Sequence, residues 1–201
     1  MRTFIAVELP AAARQLLVDL QRRLERSLGE VHAGSPVRWT TPQNLHLTLR
    51  FLGETTDAQR TVVEHSLASL ATQPAFPLAL HQLGCFPNWR RPNIVWVNFS
   101  GATVQLERIQ VQVEAAVQAA NFPPEERPFT PHLTIGRVKK EATSQDRQQL
   151  GEVLQRQHGR GATLLASPAA HFTVAAVAFI QSDLRPSGPV YTPLAHYSLK
   201  G

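Results

Sequence analysis

Two stretches decide how this chain folds: "PQNLHLTLRFLG", residues 42–53, and "PFTPHLTIGRVK", residues 128–139. The first carries His46-Leu47-Thr48-Leu49, the second His132-Leu133-Thr134-Ile135, and each has a proline four positions before its histidine, Pro42 and Pro128. Alternate side chains of a strand share a face, so His46 and Thr48 line one side and Leu45, Leu47 and Leu49 the other. His132 and Thr134 oppose Leu133 and Ile135 in the same way. The apolar side anchors each strand in a core. The polar side needs water or a cleft, because burying such groups unpaired is costly.

Outward from these strands the two halves of the chain share an order. Residues 2–9, "RTFIAVEL", alternate as a strand; Pro10 suits a helix start, and residues 11–29 have helical apolar spacing up to Gly29. A loop with Gly34 and Pro36 leads to the first tetrad. Thr56 with Gln59 forms a capping-box pattern for a helix over 57–71, and "FPLALHQLG", 76–84, reads as a strand. After the loop "CFPNWRRP", 85–92, come a strand, "NIVWVNFS", an amphipathic helix over 103–120 and a proline-rich loop that delivers the second tetrad. A helix follows over 144–157 despite Gly151. Residues 171–184 and 190–199 close the chain as strands joined by a turn at "RPSGP".

Each half therefore reads strand, helix, loop, His-x-Thr strand, helix, strand. An internal duplication is expected, with half-repeats at about 1–84 and 93–201 inside one domain spanning 1–201. Two similar lobes are expected, bringing the polar faces of both tetrads to one central groove.

Composition sets the outer bounds. With 43% hydrophobic and 17% charged residues among 201, this is the make-up of a globular protein. Cys85 is the sole cysteine, so an internal disulfide and a cysteine zinc site are both excluded. No run is apolar enough to span a membrane, and the N-terminal stretch lacks the apolar core of a signal peptide, so a cytoplasmic protein is expected. The formal charge is +5, carried by arginine; only Lys139, Lys140 and Lys200 are lysines. The planar guanidinium matches phosphate oxygens, so a polyanionic partner is permitted.

Two imidazoles and two threonine hydroxyls facing one groove suit phosphoryl transfer. One ring accepts a proton while the other donates one, and each hydroxyl can bond a non-bridging phosphate oxygen. A single His-x-Thr is commonplace in strands; two at equivalent places in half-repeats are not. The chain resembles the two-histidine phosphoesterases, and within them the bacterial and archaeal RNA 2′,3′-cyclic phosphodiesterases, also called 2′-5′ RNA ligases. The blocks "RTFIAVELP", "PQNLHLTLRFLGE", "FPNWRRPNIVWV", "FTPHLTIGR" and "SDLRPSGPVYTPL" carry the resemblance.

The resemblance implies an α+β fold of two pseudo-symmetric lobes, each an antiparallel sheet flanked by helices, with the active-site cleft between them. It also implies opening of a ribose 2′,3′-cyclic phosphate to a 2′-phosphate with no metal and no cofactor. It makes His132 the general base and His46 the general acid, roles the near-symmetric sequence leaves open by itself. It places Arg137, five residues after His132, on phosphate, although strict alternation aims that side chain away unless a bulge turns it back. Phe51 holds the matching place after His46, where it could stack on a base. Arg50 has the parity of His46 and Thr48 and is expected to face the groove. Trp89, Arg90 and Arg91 lie on a loop, either a plain solvated one or one where an aromatic beside cations suits RNA contact.

The expected substrates are RNA with a 2′,3′-cyclic phosphate end, tRNA halves among them, or small cyclic nucleotides. A monomer is expected, and the resemblance extends to members that also join RNA halves reversibly through a 2′-5′ linkage by related chemistry run toward synthesis. Two alternatives use the same residues differently: a metal-dependent phosphodiesterase with His46 and His132 as ligands, and a non-catalytic RNA-binding module. The metal site lacks an evident third ligand. His32, His65, His81, His158, His171 and His196 show no metal-site spacing, and no lysine stands in the Lys-x-x-Gly context of an ATP-dependent ligase.

Overall fold

The computed structural model describes residues 1–29, 35–160, 166–186 and 188–201, the side chains of 159 and 160 excepted. Gly34 and His32 fall outside these residues, as does Ser187 of the expected terminal turn. The described elements run β1 (Arg2–Glu8), α1 (Ala11–Gly29), β2 (Val37–Trp39), β3 (His46–Glu54), α2 (Asp57–Leu67), β4 (Phe76–Phe86), β5 (Ile94–Gly101), α3 (Thr103–Ala119), β6 (His132–Val138), α4 (Ser144–Arg160), β7 (His171–Val174), β8 (Ala176–Arg185) and β9 (Gly188–Ser198).

Local sequence accounts for most boundaries. Helix α1 opens directly after Pro10, whose carbonyl accepts from Arg14 N at 3.0 Å, and buries Leu16, Leu17, Leu20, Leu24 and Leu28 along one face. Thr56 and Gln59 cap α2 reciprocally, side chain to backbone in both directions. Gly151 sits inside α4 because the Trp89 carbonyl presses there; a Cβ would collide with that oxygen.

Two antiparallel sheets form, in the orders β3-β1-β8-β9 and β2-β6-β5-β4-β7. The lobes are not the halves of the chain. The first sheet takes β1 and β3 from the first half and β8 and β9 from the second. The second sheet takes β5, β6 and β7 from the second half and β2 and β4 from the first. The helices exchange in the same sense, α3 packing on α2 and β3, and α1 on α4.

One predicted strand is divided by this exchange. Residues 171–184 break at Ala175: β7 pairs with β4 in one sheet, and β8 pairs with β1 in the other. Residues 37–39, taken from sequence as loop, form the short edge strand β2 against β6.

The core-facing sides of both sheets and the buried helix faces merge into one apolar cluster that includes Leu45, Leu47, Leu49, Leu133 and Ile135. A smaller second cluster of Phe4, Ala6, Ala178 and Ile180, with Tyr191 against it, lies on the opposite side of the first sheet. It floors the polar face of the first tetrad.

Candidate active site

Both tetrads have the predicted alternation. Leu47 and Leu49, like Leu133 and Ile135, are buried, while His46, Thr48, His132 and Thr134 are part-exposed. Past each threonine the alternation fails in the same way.

Opposite β6, the register runs Asn98 to His132, Trp96 to Thr134, then Val95 to Gly136 and Ile94 to Arg137, leaving Ile135 as an extra residue. Strand β5 itself alternates without a break, with Val95 and Val97 buried and Ile94, Trp96 and Asn98 on the other face. His132, Thr134 and Arg137 therefore share one face, and the bulge supplies the half-turn that Arg137 needed.

In β3 the register against β1 skips Leu49 in the same manner: Ala6 pairs with Thr48, Ile5 with Arg50 and Phe4 with Phe51. Phe51 thus joins the His46 face, its ring 5.7 Å from that of Phe4, and is 59% exposed.

Arg50 is consequently turned out of the groove, contrary to its expected parity. Its Nε lies 2.8 Å from Glu114 Oε2 and its Nη1 3.0 Å from Glu125 Oε2. Nη2 donates to Pro123 O at 2.6 Å. This guanidinium ties β3 to α3 and the proline-rich loop.

The bulge in β6 has an identifiable support. The carbonyl of Ile135 accepts from the Gln21 amide at 2.8 Å and from Thr40 N at 2.9 Å. Gln21 also donates to Thr40 O at 2.8 Å and is only 6% exposed. Gly136 completes the arrangement, because a Cβ there would meet Val37 Cγ1 at 2.7 Å and Trp39 Cε3 at 2.8 Å.

The same contacts bring the two tetrads together. Thr40 is hydrogen-bonded to β6 through both its N and its Oγ1, the latter 3.1 Å from Thr134 O. Five residues, 41–45, with the 3-10 turn Pro42–Asn44 among them, then lead to His46. Asn44 Nδ2 donates to Pro189 O at 2.9 Å, fixing that turn to the start of β9. Strands β3 and β6 meet across the two sheets.

Each imidazole is oriented alike. His46 Nδ1 lies 2.8 Å from Asn44 O, and His132 Nδ1 lies 2.7 Å from Thr130 O, in both cases the carbonyl two residues back. A carbonyl only accepts, so Nδ1 carries the hydrogen and Nε2 is left for proton transfer. Aromatic rings hold both imidazoles in place. Phe4 lies 4.8 Å and Tyr191 5.3 Å from His46, and Phe86 lies 5.1 Å from His132, edge-on.

Burial pulls the His46 pKa down from 6.5 to about 4, against the opposing effects of the Asn44 carbonyl and the Glu8 charge. At neutral pH this ring is uncharged in the free protein. Burial pushes the Tyr191 phenol up while the charge of Arg137 draws it down, so Arg137 acts at the same place as the ring that backs His46.

Tyr191, Phe4 and Phe86 escaped sequence reasoning as site residues. Their signal was their place in the blocks of the family resemblance. Glu8 and His196 were missed too; Glu8 stands opposite His46 in register and bonds His196 Nε2 at 2.7 Å. Trp89 is a correction: its ring packs edge-on against His158, 5.5 Å away, on α4. Arg90 and Arg91 are exposed beside it. Among the described residues no three His, Cys, Asp or Glu side chains gather as a metal-ligand set, and no described helix is long and apolar enough to cross a membrane.

An exchanged pair of antiparallel sheets carrying twin His-x-Thr strands defines a two-histidine phosphoesterase. The model of the LigT-like phosphoesterases matches residues 7–96 and 100–191, and the chain belongs to that family. The RNA 2′,3′-cyclic phosphodiesterase of Thermus thermophilus is 32% identical, over all of this chain and 91% of its own length. That of Aquifex aeolicus is 32% identical over 88% of this chain and 89% of its own. The crystal structure of TT0787, also from Thermus thermophilus, superposes with a TM-score of 0.73 at 28% identity, covering 100% of this chain and 99% of the other.

Proposed function

We propose that this protein hydrolyses the 2′,3′-cyclic phosphate of RNA ends or nucleosides to the 2′-phosphate, without metal or cofactor, using His46 and His132 as acid and base. The observation that carries this reading is the pair of matched Nδ1-to-carbonyl bonds, which leave two Nε2 atoms on facing strands. The relatives named RNA 2′,3′-cyclic phosphodiesterase support it.

In the proposed reaction His132 Nε2 takes a proton from water as the water oxygen attacks phosphorus. The bond from phosphorus to the ribose 3′-oxygen breaks, and His46 Nε2 gives that oxygen its proton. Thr48 and Thr134 bond the non-bridging oxygens, and Arg137 balances the charge that builds on them. Phe51 offers a face to the terminal base.

Because burial keeps His46 neutral in the free protein, Nε2 takes up a proton from solvent as the anionic phosphate binds, whose charge raises the ring's affinity for it. With a ribose 5′-hydroxyl in place of water, the same proton transfers give a 2′-5′ phosphodiester.

The test is turnover of a nucleoside 2′,3′-cyclic phosphate in EDTA, with the product identified by phosphorus NMR. The 2′-phosphate is expected. His46→Ala and His132→Ala should each lower kcat by roughly 10²–10⁴, the scale of a general acid or base. Wild-type turnover in both variants would overturn the reading.

A further inference from the structure

Strand β2 places a second arginine beside Arg137. In the β2–β6 register Arg38 stands directly opposite Arg137, and Val37 and Trp39 flank it against Val138 and Gly136. Directly opposed residues of an antiparallel pair project to the same face, so Arg38 shares the face of His132, Thr134 and Arg137. Both arginines are exposed.

Neither guanidinium has a hydrogen bond or ion pair among the described residues. Arg50, by contrast, is fully engaged with Glu114, Glu125 and Pro123. Glu25, the carboxylate that reaches β2 from α1, is committed to Trp39 Nε1 and Ser35 Oγ. Two like charges facing each other across a strand pair are unfavourable until an anion neutralises them.

We propose that Arg38 is the recognition residue for a second phosphate, the phosphodiester on the 5′ side of the terminal nucleoside, and so sets a preference for RNA chains over mononucleotides. The proposal rests on the cyclic-phosphodiesterase reading. Arg137 takes the reacting phosphate; Arg38, one strand spacing of about 4.8 Å farther toward the sheet edge, takes the next. A guanidinium fork suits this bidentate contact better than an ammonium does. Exposed Lys139 and Lys140, immediately after β6, extend the positive strip beyond Arg137.

The test compares two substrates, a nucleoside 2′,3′-cyclic phosphate and a dinucleotide ending in one, which adds one phosphodiester and the nucleoside it joins. Arg38→Gln should lower kcat/KM on the dinucleotide at least tenfold more than on the mononucleotide, the scale of one charge-assisted contact. The dependence of log kcat/KM on log salt should flatten by about 0.7 for the dinucleotide, one phosphate contact to a single strand. Arg108→Gln, an exposed charge on α3, serves as the control for bulk charge and should show no such difference between substrates.

Equal losses on both substrates, or no loss on either, would overturn the role of Arg38 while leaving the hydrolytic reading intact. Wild-type protein that opens neither substrate would overturn that reading, and the assignment of Arg38 with it.

Discussion

Acidification should cost this protein stability through His46 in particular, by an amount the structure sets. The ring sits among Phe4, Tyr191 and the β3 backbone, and burial lowers its pKa from 6.5 to about 4. In the unfolded chain the ring regains its ordinary affinity for protons. As pH falls through 6.5 the unfolded state binds a proton that the folded state refuses, so stability declines. The decline continues until the folded ring titrates near pH 4 and then levels off. A difference of 2.5 pKa units at 1.36 kcal/mol each gives about 3 kcal/mol.

The measurement is urea denaturation of wild type and His46→Gln at several pH values from 7 to 4. Glutamine keeps a polar group of similar length but does not titrate, and every other ionisable group cancels in the difference. The stability of wild type relative to the variant should fall by about 3 kcal/mol over this range, most of it between pH 6 and 4.5. A difference that stays constant within about 0.5 kcal/mol would refute the reasoning. It would mean that solvent reaches the ring and that His46 is ready to carry a proton before any substrate arrives.

Other substitutions separate the site's supports from its contacts. Gln21→Leu leaves Thr40 O without its partner and the bulge carbonyl of Ile135 with one bond instead of two; about 1–3 kcal/mol of stability should be lost by urea titration, and kcat/KM should fall with both histidines intact. Arg50→Ala removes the counter-ion of the largely buried Glu114 carboxylate, which keeps only its bonds from Gln118 and Glu125 N, and should lower unfolding free energy by about 1–3 kcal/mol, whereas Arg137→Ala should reduce kcat/KM with the melting temperature unchanged. Phe51→Ala removes an exposed ring and should raise KM roughly tenfold on base-bearing substrates, the scale of one base stacked on an aromatic.

The histidines and threonines were legible because strand alternation is a local rule and holds across each tetrad. It misled at Arg50, four residues short of the strand's end, because a bulge exchanges the faces beyond Thr48. A bulge depends on distant partners. The one in β6 is held by Gln21, 114 positions away in sequence, and by the lack of a Cβ at Gly136 beneath Trp39.

The break at Ala175 was equally hidden. Residues on both sides of it are apolar, and nothing local marks where a strand passes from one sheet to the other. Helix limits were clearer where punctuation is chemical, as at Pro10 and the Thr56 cap. Trp89 looked like a free aromatic beside two arginines until α4 covered it, a contact that Gly151 permits.

Strand exchange between the halves has a consequence for any attempt to divide the molecule. A cut in the connection between β4 and β5 would give an N-terminal piece whose last strand belongs in a sheet it does not possess. The C-terminal piece would have β8 and β9 seeking a neighbour in the missing fragment. Each would expose unpaired strand edges, and neither would fold alone. Mixed, the two have complementary vacancies, so order would return only as a reconstituted pair, with one imidazole from each fragment.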